Sequence, residues 1–102
     1  MPPGSLGILV SSDQHLDKII KLCQAAKKKC LRVSIFLTHH GVLLTKDHSF
    51  SELKGLAEIS LCNVGFEGHG LKRPVPGISE IDYGTQIKHG EMIRECDRYL
   101  VF

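Results

Sequence analysis

Cys62 is the residue in this chain whose setting best suits a reactive thiol. It closes the apolar run Ile59-Ser60-Leu61 and opens the segment Asn63-Val64-Gly65-Phe66-Glu67-Gly68-His69-Gly70-Leu71. A strand that ends in cysteine and passes into a glycine-spaced turn that can be helical places sulfur where backbone N–H groups converge. That position favours the thiolate, which is the nucleophilic form. His69, Lys72 and Arg73 follow closely and add positive charge, while Glu67 opposes it. His40 and His69 are candidates to tune the thiol or to shuttle its proton. The competing reading is an inert core cysteine, because free cysteine is among the most buried residue types.

The other three cysteines read as packing. Cys23 and Cys30 fall on one apolar helical stripe with Leu16, Ile19, Ile20 and Ala26. Seven residues along a helix separate them by about 10 Å, beyond the roughly 7 Å between Cα atoms that a disulfide spans. Cys96 precedes the last strand and is expected to be buried as well. Six histidines and four cysteines raise the question of metal. Close pairs of the C-x2-C or H-x3-H kind are missing, and the adjacent pair His39-His40 diverges if extended, so no metal is expected. The turn Ser11-Ser12-Asp13-Gln14 carries neither glycine-rich phosphate motif, and Asp13 would repel an anion, so no nucleotide cofactor is expected.

Composition sets the frame. One hundred and two residues form a single domain, residues 1–102, and the 42% hydrophobic and 24% charged content is that of a globular protein rather than a disordered one. A net charge of +2 is too small to suggest a nucleic-acid surface. The run Lys27-Lys28-Lys29 ends a helix, where cations complement the macrodipole. No stretch approaches the length of a membrane span, and the start Met1-Pro2-Pro3-Gly4 lacks the features of a secretory signal. The expected location is therefore the cytoplasm, where thiols stay reduced.

The elements alternate. Residues 5–11 form an apolar strand, Asp13 caps a helix over 14–29, and residues 31–37 form a second strand. A polar segment, 38–48, leads to a capping box at Ser49–Glu52 and a short helix to about residue 55. A third strand over 57–62 precedes the glycine-spaced turn, whose glycines argue against a stiff helix. Pro74 and Pro76 mark a loop over 72–77. A short fourth strand over 78–81, a helix over 83–95 and a final strand over 98–102 complete the order. Near-continuous apolar strands between helices imply parallel pairing with both faces covered, a three-layer α/β/α sandwich. Active groups of such sheets gather at the carboxyl ends of the strands. That edge receives the loops Ser11-Ser12-Asp13, Thr38-His39-His40-Gly41 and Cys62 onward.

Three motifs in order carry a resemblance. They are Gly41-Val42 after the second strand, Cys62-x7-Gly70-Leu71 after the third, and the terminal run Cys96-Asp97-Arg98-Tyr99-Leu100-Val101-Phe102. Together, over nearly the whole chain, they resemble the DsrE/DsrF-like family of sulfur-relay proteins. The resemblance implies a flavodoxin-like domain with a mostly parallel five-stranded sheet, assembled as a homo- or hetero-oligomer. It also implies that Cys62 accepts sulfane sulfur as a persulfide from a donor protein and passes it to an acceptor protein. The chain departs from the pattern at His40, where members often carry an acidic residue, and at His69, where they often carry arginine. Phe50, Phe66 and Tyr83 are expected oligomer contacts. The alternative is a non-enzymatic assembly or ligand-binding module of the same fold. A thiol redox protein would need a resolving cysteine within reach of Cys62.

Overall fold

Five strands pair in parallel throughout in the computed structural model, which describes residues 4–73, 75, 78, 82–84 and 86–102. They are β1 (Ser5–Val10), β2 (Arg32–Leu37), β3 (Glu58–Cys62), β4 (Tyr83–Gly84) and β5 (Arg98–Val101), in the order β4-β3-β2-β1-β5. The order differs from the 2-1-3-4-5 of flavodoxin. Three crossovers step from β1 outward to β4, and the last returns across the sheet to the far side of β1. Parallel crossovers are right-handed, so a connection running the other way lays its helix on the opposite face. Helix α1 (Leu16–Lys28) therefore serves one face, and α3 (Gln86–Glu95) the other.

The burial pattern follows this two-sided arrangement. Leu6, Ile8 and Val10, Val33, Ile35 and Leu37, and Ile59 and Leu61 form one apolar layer with Ile19, Ile20, Cys23 and Ala26 of α1. Ile8, Val10, Ile35, Leu37 and Leu61 are at most 1% exposed, and burying each such side chain contributes on the order of 2 kcal/mol. The alternate residues face α3. A Cβ placed on Gly7 would meet Cys96 and Met92, and Phe36, fully buried, stacks against His89 with ring centroids 5.4 Å apart.

Several local expectations are corrected. Helix α1 begins after His15, not at Gln14, and Asp13 does not cap it; Ser12 Oγ instead accepts the Gln14 N–H at 3.2 Å. The helix ends at Lys28, and Cys30, with φ of 59°, turns out of the stripe and is exposed. Its apolar spacing continues the stripe, but the backbone has already left the helix. Segment 38–48 is not an open loop: it holds a 3-10 helix, His39–Lys46, that buries Val42 and Leu44. A second 3-10 helix, His48–Leu53, is capped by Asp47, whose carboxylate accepts the Ser49 N–H at 2.9 Å, so the capping box at Ser49 does not form. The glycine-spaced turn after Cys62 is helical, as α2 (Asn63–Gly68). A strand forms at Tyr83–Gly84, the strand expected over 78–81 lies, apart from Ile78, outside the described residues, and α3 starts three residues later than expected. Phe50, Phe66 and Tyr83 are all buried in the core and are not free for oligomer contacts.

Two glycines test this packing. Gly41 leaves no room for a Cβ, which would run into the Val10 carbonyl oxygen. Gly90 lies exposed in α3 with nothing near its would-be Cβ. Urea denaturation should show Gly41→Ala lowering stability by about 2 kcal/mol or more, the cost of overpacking against backbone. Gly90→Ala should raise stability by about 0.8 kcal/mol through helix propensity. Equal stability of both variants and wild type would contradict the packing described.

Candidate functional site

The parallel register assembles the site. Leu37 pairs with Leu61 across β2 and β3, so the next residues, Thr38 and Cys62, lie side by side at the carboxyl edge of the sheet. Thr38 is tied back to β1, its N–H donating to the Val10 carbonyl at 2.9 Å. The chain then turns sharply. His39 takes a φ of 49°, in the left-handed region, and Gly41 N–H donates to the Thr38 carbonyl at 2.8 Å. A histidine tolerates that conformation better than most side chains but still bears strain, which collects at functional sites.

Cys62 is the N-cap of α2, with extended backbone and no capping bond from its side chain. It is half-buried, and with Thr38, His39, Val64, Gly65, Gly68 and His69 it lines a hollow of about 350 Å³. Helix α2 packs on the first 3-10 helix at Gly65, where a Cβ would lie in ordinary contact, 3.7 Å from the His39 nitrogen. The His40 and His69 rings approach with centroids 5.4 Å apart. Both are exposed, and His69 faces the hollow while His40 stands behind it.

Of the sequence-predicted residues, Cys62 and His69 thus share one hollow, and His40 joins them through its contact with His69. His39 and Thr38 line it too. Their part follows from the parallel register, which the apolar runs imply without stating where each strand stops. The first loop, Ser11-Ser12-Asp13, does not line it. Asp13 borders a larger hollow of about 440 Å³ between α1 and the second 3-10 helix, lined also by Asp17, Asp47 and Glu52. Among the described residues its walls hold no cysteine or histidine.

The charged neighbours of Cys62 are tied down. Arg73 Nη2 donates to Asn63 Oδ1 at 2.9 Å, and Asn63 Nδ2 donates to Glu67 Oε1 at 3.2 Å. One side-chain amide therefore separates the positive group from the negative one. Among the described residues, no group of three or more His, Cys, Asp or Glu side chains is placed to hold a metal ion.

The remaining cysteines divide by environment. Cys23 is fully buried, and burial pushes its thiol from the ordinary 9.0 up to about 11, so it stays protonated at neutral pH. Cys96 is half-buried rather than buried; its sulfur faces Gly7, and it donates to the Ile93 carbonyl at 3.6 Å. Cys30, exposed, follows α1 and precedes β2, at the opposite edge of the sheet from Cys62. Nothing therefore puts a second thiol in the Cys62 hollow.

Two outcomes follow for the cysteines. In the native protein, a small alkylating reagent should modify Cys62 and Cys30 quickly and leave Cys23 intact until the chain unfolds, as read by peptide mass. Modification of Cys23 ahead of Cys62 would refute this ordering. The raised Cys23 value also fixes a pH effect. Its contribution to stability is complete below about pH 9 and is lost as pH rises toward about 11, because the unfolded thiol ionises first. Cys23→Ala should flatten the alkaline fall in chemical stability over that window, and an unchanged slope would contradict the assignment.

Compared with models of known protein families, with curated proteins and with solved structures, the chain matches none.

Proposed function

We propose that this chain is a small sulfur-relay protein that carries sulfane sulfur as a persulfide on Cys62. The observation that carries the reading is a half-buried thiol at the carboxyl end of β3, opening into a hollow shared with two histidines. A persulfide carrier needs such a thiol, sheltered enough to hold the sulfur yet open to a second protein. The Cys62 thiolate attacks the outer sulfur of a donor persulfide, the donor S–S bond breaks, and a new S–S bond forms on Cys62. The donor leaves as its thiolate, so the sulfane sulfur moves with no external oxidant or reductant. Transfer to an acceptor thiol is the same exchange in the next direction: the acceptor thiolate attacks the outer sulfur and Cys62 leaves as its thiolate. His69, on the hollow, and His40, in contact with it, are proposed to take up or return the proton.

The finer fold reading belongs to the same proposal: a three-layer α/β/α domain of the DsrE/DsrF-like kind, in the cytoplasm. Its supports are the all-parallel sheet with helices on both faces and four free cysteines. No helix among the described residues is long and apolar enough to cross a membrane. Val64, 77% exposed on the rim of the hollow, offers an apolar contact to a docking donor or acceptor.

The assembly reading has its own observation. All four residues of the edge strand β5 are exposed, including Tyr99, Leu100 and Val101, with no proline among them. Unprotected edge strands invite pairing with another chain. This reading assigns oligomer contacts to β5 instead of the buried aromatic residues.

Two measurements check this section. After incubation with a persulfide donor, the intact mass of wild type should rise by about 32 Da, one sulfur atom, and that of Cys62→Ser should not. Wild type that stays at its starting mass while a known carrier loads would sink the proposal. Sedimentation velocity should show a concentration-dependent oligomer that Val101→Lys shifts toward the 11.3 kDa monomer. A wild type monomeric at every concentration would remove the assembly reading.

A further inference from the structure

Arg73 draws together three parts of the chain around Cys62. Its guanidinium carbon lies 4.3 Å from the centroid of the Tyr83 ring, and its Nη2 donates to Asn63 Oδ1 at 2.9 Å. Asn63 directly follows Cys62 and is the first residue of α2. Tyr83 is itself fixed. It is buried, its hydroxyl accepts the Val75 N–H at 2.9 Å, and its ring meets Phe66 edge-on with centroids 5.3 Å apart.

The sheet alone gives this corner little support. Among the described residues β4 contributes two pairs, Leu61 with Tyr83 and Cys62 with Gly84, and Cys62 is in the second of them. Beyond that pair, α2 is held by the buried Phe66 and by its packing at Gly65, and its first residue, Asn63, by a side-chain bond. A six-residue helix containing two glycines has little stiffness of its own. Arg73 adds to that orientation by placing its guanidinium over the Tyr83 ring and reaching the Asn63 amide. That combination needs a planar, forked cation, which lysine is not.

We propose that Arg73 is the positioning residue of the Cys62 site. By bracing Asn63 against Tyr83 it sets the direction in which the Cys62 thiol enters its hollow. It acts through Asn63 and not on the sulfur. The sulfur-transfer readout of this inference rests on the persulfide reading above, and its alkylation readout does not.

The test compares wild type, Arg73→Ala, Arg73→Lys, Asn63→Ala and the Arg73→Ala/Asn63→Ala double variant, each checked by circular dichroism and thermal midpoint. Two rates are measured at Cys62: sulfur loading from a persulfide donor, and alkylation by iodoacetamide across a pH series. Arg73→Ala and Asn63→Ala should each slow loading by about tenfold, the scale expected when a reacting group is misplaced. The double variant should be no slower than either single one, because both break the same link. Arg73→Lys should fail to restore the rate. The alkylation profile should fall at every pH without changing shape, since a misdirected thiol, not an altered charge, is responsible.

Folded Arg73→Ala with wild-type rates would overturn the inference. So would single effects that multiply in the double variant, or a profile displaced along the pH axis. If Arg73→Ala does not fold, Asn63→Ala decides alone, by the same slowing or its absence. If wild type takes up no sulfur, the persulfide reading fails, and the alkylation rates still decide the role of Arg73.

Discussion

The Val10 carbonyl is where sheet and site are joined. It accepts the Thr38 N–H at 2.9 Å, and the backbone of Gly41 presses against it so closely that no side chain fits. This contact ends β2 level with β1 and forces the chain to turn at His39. It also seats the first 3-10 helix against the carboxyl edge, where Val42 enters the core. Helix α2 packs on the same 3-10 helix at Gly65, and Cys62 lines one hollow with Thr38 and His39. A close backbone approach between β1 and the first 3-10 helix thus shapes a hollow that Cys62, at the end of β3, also lines.

Periodicity reveals the sheet and α1 because both bury long apolar patterns. The stripe Leu16, Ile19, Ile20, Cys23, Ala26 is buried as its spacing requires, and the third strand ends at Cys62. Short elements escape the same reasoning. The 3-10 helices bury Val42, Leu44, Phe50 and Leu53 from polar surroundings, and a few apolar residues among histidines and lysines carry no clear period. β4 is too short to show alternation, and its tyrosine is recruited by tertiary contacts with Phe66 and Arg73. Cys30 shows the opposite error, a residue that continues the apolar spacing after the helix has ended.

For the site, the sequence places Cys62 at a strand end and His69 after it, and the structure puts both on one hollow. It does not show that His39, rather than His40, would line that hollow beside them. Two adjacent histidines are interchangeable on paper; the positive φ at His39 separates them in space. Charge near Cys62 is likewise visible as Arg73 and Glu67, but not that both are tied to the Asn63 amide. The net result is a thiol set among hydrogen-bonded neighbours, with the cysteines outside its hollow removed by burial or by distance along the fold.

The central claim, that sulfur resides on Cys62, has a direct site-resolved measurement. Trypsin cleavage after Lys and Arg leaves Cys23, Cys30, Cys62 and Cys96 each in a separate peptide. Donor-treated protein is alkylated, digested and mapped by tandem mass spectrometry. The account predicts that the peptide 55–72, holding Cys62, carries one added sulfur of about 32 Da while the other three cysteine peptides do not. Sulfur found on the Cys30 or Cys96 peptide, with the Cys62 peptide unmodified, would contradict it.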